Sequence, residues 1–200
     1  MDSLLITNPK HRIGAAVGRA SWYHYYAGFS VSFAHTLLQS TGLPGYAVVL
    51  DPWNGSGTTT SVASSSGYKA IGYDLNPVMI IAAKARLLKK TEKSSLWPLA
   101  CEVRAVSERI KFRCTEDESL QGWMVPQSAS LLRKLEMAVQ QLLVDEHEYK
   151  SLVKRDAFDE LSCLAAFFYT ALFRTARILI GRFYSSNPTW TKLPSSKSNR

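Results

Sequence analysis

Residues 51–60 read DPWNGSGTTT and directly follow an apolar, β-branched run, YAVVL, at residues 46–50. Such a run is typical of a strand that is buried on both faces of a parallel sheet. Gly55 and Gly57 then permit a sharp turn and a close approach of the backbone to a ligand. Residues 58–66 are small and fit a helix packed closely on the sheet. This stretch therefore predicts a strand, a glycine loop and a helix.

The residues that follow predict a second strand and a second helix. Residues 69–73 have the composition of a short strand, and Asp74 stands at its carboxyl end. Asn76 and Pro77 open a helix over residues 78–88, since proline is well tolerated in a first helical turn. The order of strand, glycine loop, helix, strand, acid and helix predicts a βαβ unit and an α/β fold.

The details of the loop distinguish between classes of cofactor. A dinucleotide fingerprint requires a third glycine, and Thr60 stands at that position. A phosphate-binding P-loop requires a lysine, which is absent here. The carboxylate of Asp51 would repel a pyrophosphate but suits a cofactor that carries an ammonium and a sulfonium. Asp74 can accept hydrogen bonds from both ribose hydroxyls of a nucleoside. Together these features favour S-adenosyl-L-methionine.

The predicted cofactor-binding residues are Asp51, Pro52, Asn54, Gly55, Gly57, Thr58, Asp74 and Asn76. DPWNGSGTTT, followed by GYDLNP at residues 72–77, resembles the cofactor motifs of the DNA amino-methyltransferases. That family's pattern is D-P-F-x-G-S-G-T-T, and Trp53 replaces its phenylalanine. Residues 24–30, HYYAGFS, are similar to the family's aromatic segment that closes over the methionine part of the cofactor.

The resemblance implies a Rossmann-like class I methyltransferase fold that uses S-adenosyl-L-methionine. It also implies methylation of an exocyclic amine in DNA, at adenine N6 or cytosine N4, as in restriction–modification. We expect residues 1–90 to form the cofactor-binding α/β region, residues 91–158 a mainly helical insertion, and residues 159–200 a basic helix with a base-site segment. Because the sequence offers two strands and the family about seven, we expect the sheet to be incomplete.

The second half of the sequence has the apolar spacing that these predicted helices require. Six leucines and valines between residues 128 and 143 recur at helical spacing, with Ser128 or Ser130 as the expected N-cap. Residues 160–183 predict a second long helix, and the apolar run within it, around residues 161–172, is too short to span a membrane.

The family's base site is Asp/Asn/Ser-Pro-Pro followed by an aromatic residue. The polar side chain accepts the amino protons, and the ring stacks on the flipped base. Asn187, Pro188 and Trp190 are the candidates here, although Thr189 stands where the second proline belongs. This segment is either a degenerate catalytic loop, or it is structural and the catalytic motif lies beyond Arg200 in a longer parent protein. We favour the second interpretation, in which the chain is an N-terminal portion or a truncated product.

Charge and composition bear on the partners, the metal content and the location of the protein. The net charge of +8, with basic residues and no acids after residue 168, fits either a solvated surface or attraction to nucleic acid. Three cysteines without paired spacing and four scattered histidines predict reduced thiols, no metal site and a cytoplasmic protein. Two alternatives remain for function: an RNA methyltransferase, or a non-catalytic module that binds nucleotide or nucleic acid. A missing C-terminal half or a partner chain would complete the enzyme.

Overall fold

The structure is a computed structural model that describes residues 7–10, 18–23, 28–144 and 161–180. The chain divides into two compact units, Met1–Leu88 and Lys89–Arg200. The first is mixed α/β and the second, in its described part, is helical.

Two parallel strands form the sheet of the first unit. β1 comprises Val48–Asp51 and β2 comprises Lys69–Gly72, paired so that Asp51 lies opposite Gly72. Parallel strands need a crossover between them, and the helix Thr58–Ser65 (α2) provides it. The predicted order of strand, loop, helix and strand is thus observed, which confirms an α/β fold for this unit.

Among the residues that the structure describes, three α-helices accompany this sheet: Val31–Ser40 (α1), α2, and Pro77–Ala85 (α3). Ser30 caps α1 by accepting a hydrogen bond from the N–H of Phe33. Asn76 caps α3, with Pro77 in its first turn as the sequence predicts. These caps satisfy backbone donors that have no partner within the helix.

The prediction that β1 is buried on both faces is wrong for the described residues. Val48 is 52% exposed and Leu50 is 59% exposed, while Val49 between them is half-buried. Alternate residues of a strand face opposite sides of a sheet, so one face carries exposed apolar side chains. The physical reason is that α2 packs against the strands on one side, and the described residues provide two strands rather than a full sheet.

In its described residues, the second unit contains three long helices: Lys93–Arg109 (α4), Pro126–Leu143 (α5) and Cys163–Leu179 (α6). α5 packs against both of the others. Short 3₁₀ turns occur at Lys90–Glu92 and Ser119–Gly122. In the described ranges, no helix combines the length and the apolar character that a bilayer crossing requires.

Two sequence predictions about these helices need correction. α5 begins at Pro126 with Val125 as its N-cap residue, so neither Ser128 nor Ser130 caps it. Proline favours the first helical position because it lacks the N–H that would be unpaired there. The hydroxyl of Ser130 instead donates to the carbonyl of Phe112. The helix predicted over residues 160–183 is described over a shorter range, which Ser162 caps.

Candidate functional site

The carboxyl ends of β1 and β2 bring the two predicted acids to one edge of the sheet. The N–H of Tyr73 donates to the carbonyl of Asp51 at 2.9 Å, just beyond the end of β2. The N–H of Asn54 then donates to the carbonyl of Tyr73 at 2.9 Å. These bonds hold the loop that follows β1 beside the residues that follow β2. Asp51 and Asp74 therefore lie on neighbouring chain segments at the same edge.

The carboxylate of Asp74 joins the second strand to the glycine loop. Its Oδ2 accepts the N–H of Gly55 at 2.8 Å, and its Oδ1 accepts the N–H of Asn76 at 2.8 Å. Asp74 is half-buried. A carboxylate has about four acceptor positions, so it can accept two further hydrogen bonds from a ligand. The sequence placed Asp74 and the loop in one site, and the structure brings them into direct contact.

Asp51 has a different environment. Its Oδ1 accepts the N–H of Trp53 at 3.0 Å, which fixes the turn after β1. Asp51 also stands among the lining residues of a largely apolar cavity of about 440 Å³ between α1, β1 and α2. Phe29 and Phe33 line this cavity and pack edge to face, with ring centroids 5.5 Å apart. Asp74 is not among the residues that line it, so the two carboxylates share an edge but not this cavity.

Gly57 is required where the loop enters α2. Its φ is 83°, a left-handed conformation that side chains other than glycine rarely adopt. A Cβ at this position would also lie 2.6 Å from the Cβ of Ala83 on α3. The glycine therefore permits both the turn and the close approach of α3.

Asn54, which the sequence predicted as a cofactor-binding residue, contacts Thr60 and Gly72, two residues that the sequence analysis did not select. The hydroxyl of Thr60 donates to Oδ1 of Asn54 at 3.0 Å. A Cβ added to Gly72 would lie 2.9 Å from the Cβ of Asn54. The Asn54 side chain thus lies over the end of β2 and requires glycine there. Gly72 stands two residues before the predicted acid Asp74, and this position in the sequence could have indicated that Gly72 lies at the site.

The other predicted cofactor residues lie around this edge with local partners. Pro52 is exposed, and Asn76 uses its Oδ1 to accept the N–H of Val78. Thr58 is buried, and its Oγ1 accepts a hydrogen bond from Arg86, a residue that the sequence analysis did not select.

The predicted base-site residues Asn187, Pro188 and Trp190 lie outside the described residues, as do residues 24–27 of the aromatic segment. Among the described residues, no three His, Cys, Asp or Glu side chains group in a way that could hold a metal ion.

Comparisons with known proteins point to one family. Residues 7–85 match the profile of a family described as DNA methylase, of the N6/N4 methyltransferase type. The Type II methyltransferase M.BsoBI of Geobacillus stearothermophilus is 39% identical over 62 residues, which are 31% of this chain and 12% of that enzyme. The alignment thus spans a small fraction of that relative's length. No solved structure matches the chain. The match to the N6/N4 DNA methylase family covers residues 7–85, which contain both strands and both acids of the site, and over this segment the chain is similar to that family.

Proposed function

We propose that this chain supplies the S-adenosyl-L-methionine-binding part of a Rossmann-like class I methyltransferase. Its substrate is the exocyclic amine of adenine, at N6, or of cytosine, at N4, in DNA. The observation that carries the proposal is the hydrogen bond from Gly55 to the Asp74 carboxylate beside Asp51. Asp51 and Asp74 are also the only acids between residues 3 and 88. Both negative charges of this segment therefore stand at the edge where parallel sheets bind ligands.

The residues present fit the chemistry of this cofactor. Asp74 retains acceptor positions for the ribose hydroxyls, and Asp51 offers a negative charge to the ammonium and the sulfonium. The loop backbone at Gly55 and Gly57 lets the ligand approach closely. Trp53, 83% exposed beside the loop, offers an aromatic face at its rim. Pro52, Asn54, Thr58 and Asn76 remain our proposed supporting residues.

When bound, the cofactor supplies an electrophilic methyl group on a positively charged sulfur. The target amine would attack that methyl group directly, the sulfur would leave as a neutral thioether, and the surplus proton of the amine would pass to solvent. The side-chain oxygen of Asn187 would accept a hydrogen bond from the amine and raise its nucleophilicity, with Pro188 beside it and Trp190 as the stacking ring. The alternative is a Pro-Pro-aromatic motif supplied by another polypeptide segment. DNA is the expected partner, and the basic residues of the chain suit its phosphates.

Calorimetric titration with S-adenosyl-L-methionine tests the cofactor site. We expect Asp51→Ala and Asp74→Ala each to weaken binding by about tenfold or more, because each removes a charged hydrogen-bonding partner. Asp117→Ala is the matched control, since Asp117 is an exposed acid outside the family match, and its affinity should equal that of the wild type. If both site variants bind as tightly as the wild type, the assignment is wrong.

Transfer of a tritiated methyl group tests the substrate. We expect label on duplex DNA and none on tRNA, with loss of labelling in Asn187→Ala if the Asn187 side chain accepts a hydrogen bond from the target amine. Labelling of tRNA alone would refute the DNA assignment in favour of an RNA methyltransferase. Cofactor binding without label on either nucleic acid would indicate a non-catalytic module or a base site supplied by a partner chain.

A further inference from the structure

Arg86 is a buried cation beside the glycine loop. It follows α3 directly and is only 5% exposed. Its guanidinium donates to Oγ1 of Thr58 at 3.3 Å and to the carbonyls of Ala20 and Tyr23 at 3.3 and 3.5 Å. Its Nε–H is buried and has no acceptor in the described part of the chain. A buried donor without a partner is costly, so this atom points to a group that the described residues do not supply.

Within the described part of the chain, the charge of Arg86 also has no counter-ion. The two acids between residues 3 and 88 are engaged elsewhere, Asp51 with Trp53 and Asp74 with Gly55 and Asn76. Burial lowers the pKa of Arg86 from 12.5 to about 10, so the guanidinium still carries its charge at neutral pH. Charges are seldom buried without a partner, because removal from water costs several kcal/mol per ion.

The N-terminus of α2 adds a partial positive charge beside the guanidinium. Thr58 is the first residue of α2, and a helix N-terminus carries a partial positive charge with unpaired N–H groups. Ser56, Thr58 and Arg86 line a small cavity of about 10 Å³, together with Gly28 and Phe29. That volume is close to what one water molecule occupies, so it can admit one oxygen atom of a ligand. The dipole of α3, whose negative end is at Arg86, offsets only part of this charge.

We propose that Arg86, with Ser56 and the N-terminus of α2, binds the carboxylate of the amino-acid end of the cofactor. This inference rests on the proposed function, which places S-adenosyl-L-methionine at the same loop. The amino-acid end is zwitterionic, and the loop offers a matching pair of charges. Asp51 faces the ammonium and the sulfonium, and Arg86 supplies the cation for the carboxylate. A carboxylate would also provide the acceptor that the Nε–H of Arg86 lacks.

Calorimetry with two ligands that differ only in the carboxylate tests this. We expect the wild-type chain to bind S-adenosyl-L-methionine at least about tenfold more tightly than its decarboxylated form, because a charged hydrogen bond is lost. In Arg86→Met the ratio of the two affinities should fall towards one, because only Ser56 and the N-terminus of α2 remain to bind the carboxylate. A purely structural role for Arg86 would weaken both ligands together and preserve their ratio.

Lys69→Met is the matched control, because it removes one exposed positive charge from β2 and should leave the ratio unchanged. Thermal unfolding shows whether Arg86→Met folds. If this variant does not fold, the comparison of the two ligands on the wild type still tests whether the protein binds the carboxylate. Equal affinities on the wild type, or an unchanged ratio in a folded Arg86→Met, would overturn the inference alone. If the wild type binds neither these ligands nor 5′-methylthioadenosine, the proposed function fails as well.

Discussion

Gly57 shows how single residues hold the glycine loop against the helices. Its positive φ and its contact with Ala83 are independent constraints, and a side chain would violate both. We expect Gly57→Ala to lower the free energy of unfolding by roughly 2–4 kcal/mol, the combined cost of a left-handed backbone and of overpacking. Urea denaturation followed by circular dichroism measures this.

Gly67→Ala separates the two constraints. Gly67 has a φ of 86°, but a Cβ there would meet no atom within 4 Å. We therefore expect Gly67→Ala to lower the free energy of unfolding by only about 1 kcal/mol, from the strained backbone alone. Equal costs for the two variants would mean that α3 does not pack against Gly57 in solution.

At the level of elements, local signals predicted the first unit well. Asn76 and Pro77 specify the start of α3 because a cap and a first-turn proline act within a few residues. The strand predicted at residues 46–50 begins later, at Val48, because the N–H of Ala47 donates to Pro44 in the preceding turn. The position of Arg86 against Thr58 is not a local property, since 28 residues separate the two. Such contacts depend on packing that no short stretch of sequence encodes.

The segment before α5 is tied to that helix by an ion pair whose strength depends on pH. Glu118 accepts two hydrogen bonds from Arg133, at 2.9 and 3.0 Å, and is nearly buried. The bonds to Arg133 hold the pKa of Glu118 below its usual range, with a further contribution from the N–H of Leu120. Because the folded-state pKa is the lower one, Glu118 stabilises the fold above its unfolded pKa and loses that effect as pH falls through the folded value.

We expect Glu118→Gln to lower the free energy of unfolding by about 1 kcal/mol at pH 7, a value reduced for the solvent exposure of Arg133. The difference from the wild type should shrink as the pH falls below the unfolded pKa of about 4.3. Chemical denaturation from pH 3 to pH 7 measures it.

Glu108→Gln is the matched control, because Glu108 pairs with Arg104 on an exposed helix face and should change stability very little. Glu136 has the opposite effect on the pH dependence of stability, because burial raises its pKa. Ionisation of Glu136 therefore lowers the free energy of unfolding as the pH rises. A pH-independent difference between Glu118→Gln and the wild type would contradict the role of the Glu118–Arg133 pair.

At the scale of the whole molecule, the sheet of the first unit is the unusual feature. Parallel sheets are normally covered on both faces, and a two-stranded sheet alone buries little apolar surface. Here Val48 and Leu50 on β1 and Ile71 on β2 are all exposed. The matched segment corresponds to 12% of the length of M.BsoBI, so most of that relative lies outside the aligned region. In the described part of the chain, one face of this sheet therefore carries exposed apolar side chains.

A pair of identical substitutions tests whether this face is free in solution. Val48→Thr changes an exposed strand residue, and Val62→Thr changes a buried residue of α2 that is 5% exposed. Threonine keeps the β-branched shape, so the difference reports the burial of a hydroxyl. We expect Val48→Thr to alter the free energy of unfolding by less than about 0.5 kcal/mol and Val62→Thr to lower it by about 1–3 kcal/mol. Calorimetric or chemical unfolding of both variants gives the comparison. If Val48→Thr is as costly as Val62→Thr, another part of the protein or a second copy covers this face, because only a hydroxyl removed from water carries that cost.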